Sequence, residues 1–129
     1  MSILFLTLPE ILKIHNDQIK RYGGEAGVRD LNLLKSAAAT PAVSFSGEYL
    51  HSDIIEMAAA YLFHFVKNHP FIDGNKRTAV VCAMVFLALN DVKISIPEEK
   101  LFNAVHGVIS AQITKSGLAE IFRNHINVE

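Results

Sequence analysis

The sequence predicts an all-α fold, a compact bundle of about six helices. Three observations carry that expectation. Two long apolar segments, Ile54 to Val66 and Thr78 to Leu89, have no polar face, and a helix apolar on every side belongs in the middle of a bundle. Shorter stretches with helical spacing of apolar residues stand around them, most opened by a capping residue. Alternation of the β type is confined to brief pieces, Val43 with Phe45 and Val92 with Ile94 and Ile96, too little to build a sheet. The chain has 129 residues, 50% of them hydrophobic, which suits one core and one domain over residues 1–129.

The elements follow in order. Thr7-Leu8-Pro9-Glu10 reads as a capping box, with Thr7 as N-cap and Glu10 reaching back. Leu8, Ile11, Leu12, His15 and Ile19 then share one helical face, so His15 reads as a packed histidine, and Gly23-Gly24 stop the helix near Tyr22. A glycine-bearing loop, Gly23 to Val28, leads to Asp30, the expected N-cap of a helix that runs to Ala39 and ends before Pro41. Arg29 and Asp30 are expected to form an ion pair pinning that loop, with orientation of a target or nucleotide as the alternative. Ala42 to Leu50 is short, polar and glycine-containing, and on its residues alone reads as a plain connecting loop.

Ser52 is the expected cap of the next helix, with Asp53 and Glu56 suiting its positive end. His64, among apolar neighbours, reads as a hydrogen-bonded core residue. The helix Asn75 to Leu89 ends at Asn90-Asp91. Ser95, Pro97 and Glu98 open another, with Leu101, Val105, Val108 and Ile109 facing inward. A last helix begins near Thr114 or Ser116 and carries Leu118, Ile121, Phe122 and Ile126.

Composition narrows the function. A formal net charge of −1 leaves no electrostatic footprint for nucleic acid. Cys82 is the only cysteine, which excludes an intramolecular disulfide and reads as a small core residue. The six histidines show no pair at zinc spacing, and no Ser or Cys stands in a nucleophile context. The start lacks a basic leader, and the longest apolar run, Ala79 to Leu89, is too short to span a bilayer. A soluble cytoplasmic protein with no membrane partner is the expectation.

Chemistry concentrates in the stretch His69-Pro70-Phe71-Ile72-Asp73-Gly74-Asn75-Lys76-Arg77, between the two apolar segments. Pro70 and Gly74 break the helical pattern and force a turn. Asn75 is placed to cap a helix starting near Lys76, whose free N–H groups then face the loop as an anion site. Lys76 and Arg77 add full charges there. Cations at a helix N-terminus are unfavourable by about 0.3–1 kcal/mol each, so a bound polyphosphate is a good reason for two of them. Gly74 admits a close backbone approach, Asp73 suits a hard cation such as Mg2+ between phosphate oxygens, and His69 suits proton abstraction near neutral pH. The bland alternative, a structural histidine and solvated cations, stays open on these residues alone.

His-Pro-Phe-x-Asp-Gly-Asn-Lys-Arg resembles the signature of the Fic superfamily, His-Pro-Phe-x-(Asp/Glu)-Gly-Asn-Gly-Arg-x-x-Arg. Lys76 stands in place of the second glycine and Val80 in place of the last arginine, departures that resemble the death-on-curing (Doc) branch of toxin–antitoxin modules. Arg21-Tyr22-Gly23-Gly24 and Val28-Arg29-Asp30-Leu31 are similar to that branch too. The resemblance implies a toxin that uses ATP and Mg2+ to phosphorylate a hydroxyl side chain of elongation factor Tu. His69 would be the base, Asp73 the metal ligand, Lys76 and Arg77 the phosphate ligands; Gly74 and Asn75 would shape the anion site, and Phe71 would anchor the loop in the core. It also implies a flap at Ala42 to Leu50 that holds the target by strand addition.

Two alternatives remain, adenylyl transfer to a protein hydroxyl and an inactive nucleotide-binding module. Adenylyl transfer is disfavoured by Lys76 and Val80. Inhibitory helices of this superfamily follow Ser/Thr-x-x-x-Glu-Gly/Asn. The nearest matches, Ser52 to Glu56 and Ser116 to Glu120, lack the small residue that should follow. Restraint is therefore expected in trans, from an antitoxin whose disordered tail folds on this bundle.

Overall fold

The computed structural model describes residues 2–127 and contains six α-helices among them: α1 (Leu8–Tyr22), α2 (Leu31–Ala39), α3 (Ile54–Asn68), α4 (Asn75–Leu89), α5 (Glu98–Ile109) and α6 (Lys115–Arg123). A 3₁₀ turn, Thr40–Ala42, ends the second helix, and a two-stranded antiparallel hairpin follows, β1 (Ser44–Phe45) with β2 (Glu48–Tyr49). This is the expected all-α class of the Fic/Doc fold, with the flap present as an exposed hairpin.

The apolar segment before the motif forms α3, and Met57 to Leu62 are all fully buried. It packs against α2, α4, α5 and α6. The N-terminal segment, which the periodicity left undescribed, is tied down by polar contacts. The Leu6 N–H donates to the Tyr61 hydroxyl at 3.0 Å, and the Asn90 amide both donates to and accepts from the Leu4 backbone. Burial pushes the Tyr61 phenol up to about 12 and the Cys82 thiol up to about 12, so both stay protonated.

The capping box at Thr7 forms with both hydrogen bonds in place, and Asp30 and Thr114 cap α2 and α6. Ser52 does not cap α3. Asp53 does, accepting from the Glu56 N–H at 2.8 Å, while Ser52 donates back to the Glu56 carboxylate. A carboxylate meets the helix's positive end better than a hydroxyl, so the cap falls one residue later. Ser95 does not cap α5 either; Pro97 holds that position with no side-chain bond, and the Ser95 N–H donates to His125 in an extended pairing. Ile109 is 47% exposed rather than inward, and Ile126 lies beyond α6, bridged to Ile94. Among the described residues, no helix is long and apolar enough to cross a membrane.

Helix α6 runs back along α3. Lys115 at its start meets His64, and Arg123 at its end meets Asp53 at 3.0 Å and Glu56 at 3.2 Å. His64 is half-buried rather than a core residue. Its Nε2 lies 3.0 Å from Lys115 Nζ, and an ammonium only donates, so Nε2 accepts and the ring is neutral. Burial, then Lys115 and His51, lower His64 to about 4, and burial with Lys115 lowers His51 too.

A pH dependence of stability follows. Both rings titrate near the ordinary 6.5 when the chain is unfolded and lower when folded, so the unfolded chain binds more protons in between. Stability should be complete above pH 6.5 and decline as pH falls toward about 4. The denaturant midpoint, followed by circular dichroism, should drop between pH 7.5 and 5.5, above the range where carboxylates titrate. A flat midpoint there would show that the two rings do not titrate as described.

Candidate functional site

The motif turn joins the C-terminus of α3 to the N-terminus of α4. His69 is the C-cap of α3, exposed, and held in the left-handed region at φ 49°. Arg29 reaches it from the preceding loop: Nε donates to the His69 carbonyl at 2.7 Å and Nη2 to the Asn68 carbonyl at 2.9 Å. A cation on the last carbonyls of a helix satisfies them and suits the negative end of the dipole. The expected Arg29–Asp30 ion pair is absent for that reason, and Asp30 instead accepts from the Leu33 N–H.

The turn is clamped from inside. Asn75 is not the cap expected from its position; Gly74, at φ 74°, occupies the N-cap with no side-chain bond, and Asn75 is the first helical residue. Its buried amide turns back on the loop instead. Oδ1 accepts from the Phe71 N–H at 2.9 Å and Nδ2 donates to the Phe71 carbonyl at 3.0 Å. The Phe71 ring is fully buried and stacks on His15 at 3.8 Å between centroids and 5° between planes. His15 is itself buried, with Nε2 donating to the Asp73 carbonyl at 2.8 Å. From the other side, the N–H groups of Arg29 and Asp30 donate to the Pro70 carbonyl and that of Ile72 to Gly27.

Asp73 is exposed, and its two oxygens accept one backbone N–H each, from Gly74 at 2.9 Å and Glu25 at 3.2 Å. The Glu25 and Gly74 donors, with smaller contributions from Arg77 and His15, hold its carboxyl below the usual range. Lone pairs remain on both oxygens for a cation. Gly24 permits this approach: at φ 115°, an added Cβ would lie 2.8 Å from Asp73 Oδ2. Lys76 is exposed at the start of α4. Arg77 is committed to the end of α1, donating to the Gly23 carbonyl at 2.9 Å and the Tyr22 carbonyl at 3.4 Å, with its guanidinium 5.5 Å from the Tyr22 ring centre.

His69, Asp73, Gly74, Asn75, Lys76 and Arg77 all line one cavity of about 820 Å³, within the size range of ligand sites; Phe71 lies behind it in the core. The opposite wall comes from α5, with Leu101, Phe102 and Val105, and the buried Gln18 of α1 also faces the cavity. The sequence reading missed this wall. Phe102, at 62% exposure, reads in sequence as one more residue of an amphipathic helix. Among the described residues, no three His, Cys, Asp or Glu side chains converge as a metal centre. One carboxylate beside an anion site suits a cation whose other ligands are phosphate oxygens and water.

A model described as Fic/DOC family matches residues 5–87. The chain is 30% identical over 114 residues to Protein kinase doc of Escherichia phage P1, covering 88% of this chain and 89% of that one. It is 40% identical over 74 residues to Toxin Doc of Mycolicibacterium smegmatis (strain ATCC 700084 / mc(2)155), a match spanning 57% of each chain.

The clamp makes a stability prediction. Asn75→Ala removes both partners of the Phe71 backbone, and each buried polar group left unpaired costs about 1–3 kcal/mol. Equilibrium denaturation of the variant should show a loss in that range or above, and a wild-type midpoint would refute the clamp.

Proposed function

The chain belongs to the Fic/DOC family, and from that premise we propose that it is the toxin of a toxin–antitoxin module, a transferase that moves the γ-phosphoryl group of ATP to a hydroxyl side chain of a translation factor such as elongation factor Tu. One observation carries this reading: His69, Asp73, Lys76 and the uncapped start of α4 face a single cavity. The printed names of the two relatives, a toxin and a protein kinase, support it.

In this reading His69 takes the proton of the target hydroxyl, with Arg29 holding its carbonyl and so the left-handed turn that presents the ring. The target oxygen bonds to the γ-phosphorus of ATP, the bond to the bridging oxygen breaks, and ADP leaves. Asp73 would hold Mg2+, which would neutralise phosphate charge, and the α4 N–H groups with Lys76 would receive the remaining anionic oxygens. Arg77, fixed against α1, closes that side of the anion site, while Gly74 and Asn75 set its shape. The exposed hairpin gives a strand edge for the target segment. Adenylyl transfer is the second reading. Lys76 and the apolar Val80, both lining the cavity, disfavour it: Lys76 puts a side chain and charge where the usual glycine leaves backbone alone, and Val80 lacks the phosphate contact of the usual arginine.

Restraint comes in trans, from an antitoxin segment folding over the site. Glu56 and Glu120, the glutamates of the nearest inhibitory-helix matches, are paired with Arg123, away from the motif, which supports an external inhibitor.

Incubation with a bacterial extract and γ-labelled ATP should label one major protein of translation-factor size, and His69→Ala should reduce that transfer by about 10²–10⁴-fold with the fold intact. Label from the α position would make the protein an adenylyl transferase, and nucleotide binding without label from either would make it a binding module.

Asp73→Asn keeps hydrogen-bonding capacity but loses charge, so Mg2+-dependent ATP binding should weaken in a calorimetric titration. Unchanged Mg2+ dependence would place the cation elsewhere.

A further inference from the structure

A second cavity, of about 110 Å³, lies between α3, α6 and the segment preceding α3, and shares no lining residue with the first. His51, Glu56, Lys115, Ser116, Ala119 and Arg123 line it. His51 is 5% exposed, and its Nδ1 is buried with no hydrogen-bond partner among the described residues. A buried ring nitrogen left unpaired is costly and calls for a ligand. The helix start beside it is also open. The Thr114 hydroxyl takes the Gly117 N–H at 3.0 Å, but the N–H groups of Lys115 and Ser116 have no acceptor within the helix.

The charges favour an anion. Lys115 and Arg123 are the lining cations and Glu56 the lining anion. Glu56 is already matched, accepting from Ser52 and from Arg123, which also holds Asp53 and Glu120 toward solvent. Among the described residues, Lys115 has only the neutral His64 ring as partner. Lys115, His51 and His64 thus crowd three basic groups together, and burial plus their mutual repulsion disfavour the protonated forms of the two rings. The cavity has room for roughly three or four waters at about 30 Å³ each, and so for one small oxyanion in their place.

We propose that this cavity is a binding site for a small tetrahedral oxyanion, inorganic phosphate or sulfate, held by His51 Nδ1, the Lys115 ammonium and the first N–H groups of α6. The anion gives His51 its missing partner and turns three repelling bases into a matched cluster. Because it joins α6 to the segment before α3, occupancy stabilises the folded chain in proportion to anion concentration. Binding strengthens as pH falls and the rings charge.

The test is a titration of isotope-labelled protein with sodium phosphate, ionic strength held constant with sodium chloride, followed by NMR. The Lys115 and Ser116 amides and the His51 ring should shift and saturate, sulfate should reproduce the effect, and chloride alone should not. Lys115→Gln should weaken the apparent affinity at least tenfold. His51→Leu should do the same and serves if the first variant fails to fold. Lys76→Met separates out any phosphate bound at the motif turn, since shifts at α6 should persist in it. Shifts confined to the motif turn, or shifts that chloride matches, would mean an adventitious ion only and overturn the proposal.

Discussion

A helix without a polar face has to be surrounded, and that requirement on α3 organises the chain. Its sides are largely covered by α2, α4, α5 and α6, and Lys67, its most exposed residue, lies in its last turn. At one end, Asp53 and Glu56 form a capped and ion-paired junction with α6. At the other, the last carbonyls need partners, and the chain must turn sharply to send α4 back along α3. The motif residues occupy that turn. Their chemistry sits where burial stops, on a support that burial makes rigid.

Three helix ends meet around the turn, and they are treated differently. The negative end of α3 receives Arg29 and the negative end of α1 receives Arg77. The positive end of α4 receives no side-chain cap. Both arginines thereby satisfy protein carbonyls, while the donors at α4 remain directed outward with Lys76 beside them. The proposed anion site thus rests on an omission at α4, beside two helix ends whose carbonyls are matched.

The parts of this arrangement that were legible in sequence are those decided locally. Helical period and the caps at Thr7 and Asp30 depend on residues three or four apart, and they appear where expected. The motif was legible because its functional types lie consecutively. Asn75 was misread because a cap is the local use of an asparagine beside a glycine, whereas the amide instead holds a backbone already bent by the burial of Phe71. Arg29 was misread for the same reason, its nearest charge being Asp30 and its actual partners lying 39 and 40 positions away. The α5 wall was invisible because amphipathicity separates inside from outside and says nothing about which outside faces a cavity.

The contacts that shape the turn span long stretches of chain: 40 residues between Arg29 and His69, 54 between Arg77 and Gly23, and 58 between His15 and Asp73. Closing such loops comes late relative to forming helices, since local structure costs less entropy to make. A nascent polypeptide emerging from the ribosome would therefore carry α1, α2 and α3 without any organised turn, and would acquire one only when α4 docks. Local detachment of α1 in the finished molecule would dissolve the His15 and Arg77 contacts while leaving the packing of α4 and α6 on α3 in place. Order at the turn thus has the character of an all-or-none property, acquired when α4 docks and lost when α1 loosens.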